Sequence, residues 1–145
     1  MSEIEIKIAT DKKAIHHCFP VVKELRPHLT EDLFIAQVAR QQEQGYHLLF
    51  IEHNNIAVSF IGYRIQEYLA WGKILYIDDF ATKSGFDNQG YGSQLINHAI
   101  KIAKENKCDQ IHLDSGYSRE NAHRLYLNKG FKISSHHFSM KLYNE

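Results

Sequence analysis

Cysteine, proline and net charge are all scarce in this chain, and each scarcity closes off a class of function. Cys18 and Cys108 are the only cysteines among 145 residues, and they lack a Cys-x-x-Cys spacing. That is too few for the disulfide framework of a small secreted scaffold, so two reduced thiols in a cytoplasmic protein are expected. Seventeen Lys and Arg balance seventeen Asp and Glu. The basic excess of a protein that lives on phosphate backbones is missing, so no nucleic-acid partner is expected. No apolar run approaches the roughly 20 residues that cross a bilayer, so no membrane partner is expected either. The opening MSEIEIKIAT alternates charge with isoleucine and holds no leader-like apolar core, which again points to a cytoplasmic location. With two prolines and no Pro/Gly/Ser-rich linker, nothing divides the chain, and its length fits one domain, 1–145.

What is present is ordinary globular material, 43% hydrophobic and 23% charged, which excludes a disordered chain. Ile4, Ile6 and Ile8 alternate with charged residues as in a half-buried strand. Asp11 is a candidate N-cap for a helix carrying Ala14, Ile15, Phe19, Val22 and Leu25, which Pro20 is expected to kink or split. Thr30, followed by Glu31 and Asp32, reads as the start of a second helix ending at Gly45. Residues 46–52 and 56–66 read as a β-hairpin about His53-Asn54-Asn55, and 73–82 as a third strand. Leu95, Ile96, Ala99, Ile100 and Ala103 form a helical stripe after Gly90. The strand QIHLD, a helix from Arg119 to Asn128, and two closing strands over FKIS and HHFSMKLY complete the expected order β-α-α-β-β-β-α-β-α-β-β. This is a mixed α/β sheet with helices on its faces.

The ten histidines invite a metal reading, but His16-His17 and His136-His137 are adjacent pairs, and neighbours on a strand point apart. No metal site is expected. One residue of the 136–137 pair remains a candidate for facing an acceptor. Arg26 and Arg64 are read as surface charges, with recognition of an acidic group on an acceptor as the alternative. Tyr46, Tyr68 and Trp71 are read as packing aromatics, and Cys108 as an inert thiol.

The chemistry is concentrated in IDDFATKSGFDNQGYG, residues 77–92, which leads directly into the amphipathic helix. A strand, a glycine-bearing loop and a helix start are the parts of an anion cradle, in which the first helical N–H groups donate. The Walker pattern is absent, since no Lys-Ser or Lys-Thr follows Gly90 or Gly92. The dinucleotide fingerprint also fails, because Leu95 stands where its third glycine would be. A second segment, Asn121-Ala122-His123-Arg124-Leu125-Tyr126 followed by Gly130-Phe131, sets a tyrosine on a short helix. The two segments together resemble the GNAT acetyltransferase superfamily, closely over residues 74–131, and look like one bacterial branch of it.

The resemblance implies a GNAT-like acyl-CoA N-acyltransferase fold and an enzyme that moves acetyl from acetyl-CoA to an amine by direct attack. It implies that Phe80, Ala81 and Thr82 offer backbone groups to the pantetheine arm. Asp87, Asn88, Gln89, Gly90, Tyr91, Gly92 and Ser93 would line the pyrophosphate loop. Tyr126 would protonate the departing thiolate. Two positions depart from the family pattern. Asp87 stands where Arg or Gln is usual, with Lys83 read as a compensating charge. Arg119 stands where Asn is usual, so either Arg119 or neighbouring Asn121 is expected to touch the cofactor. Asp78 and Asp79 are the candidate bases, expected on opposite faces of the strand, with a water relay as the third alternative. The expected acceptor is a small-molecule amine. A non-catalytic CoA-binding module and a protein or peptide acetyltransferase are the competing readings, and a homodimer is left open.

Overall fold

The computed structural model describes residues 4–143; residues 1–3 and 144–145, the ends of the expected domain, lie outside the described residues. Nine elements follow one another: β1 (Ile6–Ile8), α1 (Lys12–Leu25), α2 (Glu31–Glu43), β2 (His47–His53), β3 (Ile56–Tyr68), β4 (Gly72–Thr82), α3 (Tyr91–Glu105), β5 (Gln110–Leu113) and α4 (Glu120–Asn128). The strands form one sheet in sequence order. β1 through β4 pair antiparallel, and β5 pairs parallel to β4. The architecture is a mixed α/β fold.

Strand alternation sorts the core. Leu48 and Phe50 of β2 and Phe60 of β3 join Ile15, Cys18, Val21 and Val22 of α1 and Phe34 and Val38 of α2 in one apolar cluster. Alternation sends Leu49, Ile51 and Ile61 to the other face. α3 lies against β3, β4 and β5, burying the stripe Leu95, Ile96, Ala99 and Ala103. Asp11 caps α1 as expected, its carboxylate accepting from the Ala14 N–H at 2.8 Å. Thr30 stands at the α2 N-cap, but its hydroxyl makes no capping bond. Pro20 does not split α1, which runs unbroken through it. A proline inside a helix costs one backbone hydrogen bond, and burial of Cys18, Val21 and Val22 around it offsets that loss. Burial also pushes the Cys18 thiol up to about 12 and raises that of Cys108.

The two closing strands are corrected. Among the described residues, nothing after Asn128 is helix or strand, so the observed order ends β-α. Phe138, Met140 and Leu142 do alternate, yet they are 92%, 84% and 80% exposed. Alternation supplies an apolar face but no neighbouring strand, and without a ladder partner an extended segment is not a sheet strand. His137 Nδ1 instead lies 3.3 Å from Asp114 Oδ1. The chain divides between Leu113 and Asp114 into two compact units, the first holding the sheet with α1, α2 and α3, the second α4 and its flanks. No helix among the described residues is long and apolar enough to cross a membrane.

Candidate active site

β4 carries one residue too many for its partner. Gly62 of β3 faces Asp79, whereas the next residue, Tyr63, faces Ile77, so Asp78 is the extra residue of a β-bulge. A bulge breaks the strict two-residue alternation of a strand and re-aims side chains. That corrects the expectation that Asp78 and Asp79 point to opposite faces, because the two carboxylates enter one polar network. Asp79 Oδ1 accepts from Arg26 Nε at 3.0 Å, and its Oδ2 accepts from the Tyr46 hydroxyl at 2.8 Å. Asp78 Oδ2 accepts from Arg64 Nε at 2.8 Å. The Arg64 guanidinium in turn lies 5.5 Å from the centre of the Tyr46 ring, and Arg26 Nη2 donates to the Asp78 main-chain carbonyl at 3.1 Å. Both arginines are thus paired with carboxylates of their own chain, Arg64 with its side chain 20% exposed and Arg26 still at the surface with 42%.

The two acids differ in what remains. Both Asp79 oxygens are bonded, whereas Asp78 Oδ1 is buried and has no hydrogen-bond partner. Burial pushes the Asp78 carboxyl above the ordinary aspartate range, and the charge of Asp79 adds to this; Arg64 and Arg26 offset it only in part. A buried carboxylate oxygen with nothing to accept from costs free energy unless a proton or a cation meets it. Tyr46 is buried, and burial followed by the Asp79 and Asp78 charges holds its hydroxyl well above the usual tyrosine value, so it stays a donor.

Gly62 makes room for this arrangement. A Cβ there would lie 1.8 Å from Tyr46 Oη and 2.3 Å from its Cζ. Gly62→Ala is expected to displace the Tyr46 ring and cost about 1–3 kcal/mol, the usual range for overpacking; denaturant unfolding of the two proteins measures it.

Past Ile77, where the ladder with β5 ends, β4 runs on through Asp78–Thr82 beside β3. Phe80 is buried, Ala81 and Thr82 are half-buried, and Thr82 Oγ1 bonds the fully buried Ser59 Oγ at 2.9 Å. The loop that follows is tied down at its start by Glu24 of α1. That carboxylate accepts from Lys83 Nζ at 2.9 Å and from the Ser84 N–H and Oγ at 2.8 Å each. Burial pushes Glu24 up, but these bonds outweigh it and hold its carboxyl below the usual range. Lys83 therefore answers Glu24, which replaces the expectation that it compensates Asp87. Asp87, Asn88 and Gln89 are exposed.

Gly90 sits at the α3 N-cap with φ +86°, a left-handed conformation suited to glycine, and no side chain caps the helix. The first helical bond runs from the Gln94 N–H to the Gly90 carbonyl. The amides of Tyr91, Gly92 and Ser93 precede it and, with the positive end of the helix dipole, suit a pyrophosphate. The residues present fit the CoA moiety that the sequence motif implies.

In the second unit, Arg119 is the N-cap residue of α4. With Ser118, Glu120, Asn121 and Ala122 it lines a recess of about 410 Å³. Tyr126 is buried and meets Phe131 edge-on, with centroids 5.9 Å apart. Burial pushes its hydroxyl above the usual tyrosine value, against an opposing pull from Arg119, so it stays protonated at neutral pH.

Sequence reasoning missed Glu24, Gly62 and the polar role of Tyr46. A glycine inside an otherwise apolar strand is the one available signal, since it often marks a bulge or a close approach.

The family model described as the acetyltransferase (GNAT) family matches residues 12–131. The chain is 28% identical over 137 residues to the uncharacterized N-acetyltransferase YhdJ of Bacillus subtilis (strain 168), covering 93% of this chain and 96% of that protein. The crystal structure of a transcriptional regulator from Bacillus halodurans C-125 is similar with a TM-score of 0.78 and 26% identity, over 97% of this chain and 100% of that one. AAC(6')-Iy, solved in complex with the bisubstrate analog CoA-S-monomethyl-acetylneamine, is similar with a TM-score of 0.81 and 15% identity, over 99% of this chain and 100% of that one. This last likeness concerns the fold.

Proposed function

The chain belongs to the acetyltransferase (GNAT) family, and from that premise we propose that it transfers acetyl from acetyl-CoA to a primary amine of a small molecule, with Asp78 as general base and Tyr126 as general acid. The observation that carries this reading is the buried, unpartnered Oδ1 of Asp78. An anionic oxygen held out of water at a bulge suits an ammonium group, which must lose a proton before it attacks. When bound, acetyl-CoA supplies the thioester to be attacked. The chain's residues do the rest. Asp78 takes the proton from the acceptor nitrogen, and Tyr126 gives one to the sulfur as the C–S bond breaks. Phe80, Ala81 and Thr82 orient the pantetheine arm through their main chain, and Asp87 to Ser93 hold the pyrophosphate chiefly through the α3 amides. Arg119 and Asn121 border the recess at the α4 start and are assigned to the cofactor.

Commitment of Arg26 and Arg64 to Asp79 and Asp78 speaks against recognition of an acidic acceptor group by either arginine. AAC(6')-Iy, solved with a neamine-derived analog, and a ribosomal-protein-alanine N-acetyltransferase share this fold, so the small-molecule acceptor rests on the desolvated Asp78 oxygen and not on the fold. The family match crosses the boundary between the two units, which supports reading 1–145 as one N-acetyltransferase domain. We place it in the cytoplasm, where acetyl-CoA is made and used.

Thermal unfolding with acetyl-CoA tests the premise of binding. At 100 times its Kd the ligand is expected to add about 2.7 kcal/mol, a shift of several degrees. Thiol release from acetyl-CoA is then read with an amino acid, a polyamine, an aminoglycoside and a lysine-containing peptide as acceptors. Turnover with one of the first three and none with the peptide is expected. Turnover with the peptide alone would replace the small-molecule acceptor by a protein, and no thermal shift at millimolar acetyl-CoA would overturn the enzymatic reading.

A further inference from the structure

Asp79 is the more heavily bonded of the two neighbouring acids, and its partners come from two separated parts of the chain. Tyr46 precedes β2 and donates to Oδ2 at 2.8 Å. Arg26 is the residue that ends α1; its Nε donates to Asp79 Oδ1 at 3.0 Å, and its Nη2 donates to the Asp78 main-chain carbonyl at 3.1 Å. The same arginine therefore grips both residues of the bulge. It also anchors the start of the α1–α2 connection, where the Leu29 N–H bonds the Arg26 carbonyl at 3.1 Å. Gly62, opposite Asp79 in the ladder, leaves the space in which the Tyr46 hydroxyl sits.

We infer that Tyr46, Asp79 and Arg26 form a strap that locks the β4 bulge, with Asp79 acting as a positioning residue that keeps the Asp78 carboxylate desolvated and aimed, and not as a second base. This rests on the reading of Asp78 as the base. A bulge residue is held by fewer ladder bonds than its neighbours, so its carboxylate needs fixing from outside the strand. The strap supplies that fixing from both sides of Asp79. It also ties the α1–α2 connection to the base, so a change in that connection reaches the proton acceptor through one guanidinium.

Tyr46→Phe is the informative variant, because it removes one hydroxyl, keeps the ring and alters no charge. The charged groups facing Asp78 are Arg64 from β3, Asp79 from β4 and Arg26 from the end of α1, and all three survive the substitution. The ¹³C-carboxyl titration of Asp78 is followed in the full chain without ligands, in wild type and Tyr46→Phe. With the strap cut, water reaches Oδ1 and the Asp78 midpoint is expected to move down toward the ordinary aspartate value. In parallel, kcat for thiol release with the best amine of the panel is expected to fall about 10²-fold, as a small misplacement can cost, while the KM for acetyl-CoA stays put. An unmoved Asp78 midpoint in Tyr46→Phe overturns the strap. Failure of the base reading shows separately: Asp78→Asn would then keep wild-type turnover, whatever Tyr46→Phe does to the titration.

Discussion

Asp78→Asn is expected to lower kcat by about 10²–10⁴-fold, the usual worth of a general base, with acetyl-CoA affinity unchanged. Asparagine keeps the size of the side chain, and its carbonyl oxygen still accepts from Arg64 Nε. It cannot take a proton from an ammonium. The sign of the pH dependence follows from the raised Asp78 carboxyl. Below its pKa the group is protonated and inactive, so wild-type kcat/KM rises as pH increases through that value, which lies above the ordinary aspartate range. In Asp78→Asn the limb set by that carboxyl should vanish, leaving a low rate that rises only with the free-amine fraction of the acceptor. A variant that retains the wild-type limb would hand the proton to a water relay or to Asp79, and Asp79→Asn would then separate those two. The measurement is a pH series of initial rates at saturating acetyl-CoA.

Tyr126→Phe carries the second large effect. Loss of the hydroxyl leaves the ring to pack on Phe131, so the fold and cofactor affinity are expected to persist while kcat falls by about 10²-fold or more. The CoA sulfur must then leave as a thiolate with no positioned acid to meet it. Burial holds the wild-type hydroxyl above the ordinary tyrosine value, so it remains protonated across neutral pH. The alkaline loss of activity should begin only as pH climbs past that raised value. Isothermal titration with CoA, set beside single-turnover rates, separates affinity from chemistry. A parallel loss of both would make Tyr126 a packing residue.

Legibility in the sequence tracked the range of the interactions involved. Long periodic segments were readable because each element's pattern is local. The hairpin about Asn54 and Asn55 was marked by its turn residues, both with positive φ, and the α3 stripe by its helical spacing. The Gly90 cap was likewise local. The bulge was not legible, because a shift of one residue in register depends on the partner strand and not on β4. Without it, alternation set Asp78 and Asp79 on opposite faces with nothing to say which one faces the acceptor, and the distinction between a saturated and an unsatisfied carboxylate was invisible. Tyr46 and Arg26 lie 33 and 53 positions from Asp79, so no spacing rule reaches them. The closing strands failed for the opposite reason. Their alternation is real, but a sheet strand is defined by its neighbour.

Both cysteines have thiols shifted upward, Cys18 inside the core and Cys108 beside Asp109. Since the thiolate is the reactive form, neither side chain competes well for an electrophile at neutral pH. A disulfide dye that reports free CoA by its sulfur should therefore register product over a quiet protein background. By the same reasoning, the folded chain is expected to form mixed disulfides with released CoA only slowly, at Cys108 before the buried Cys18.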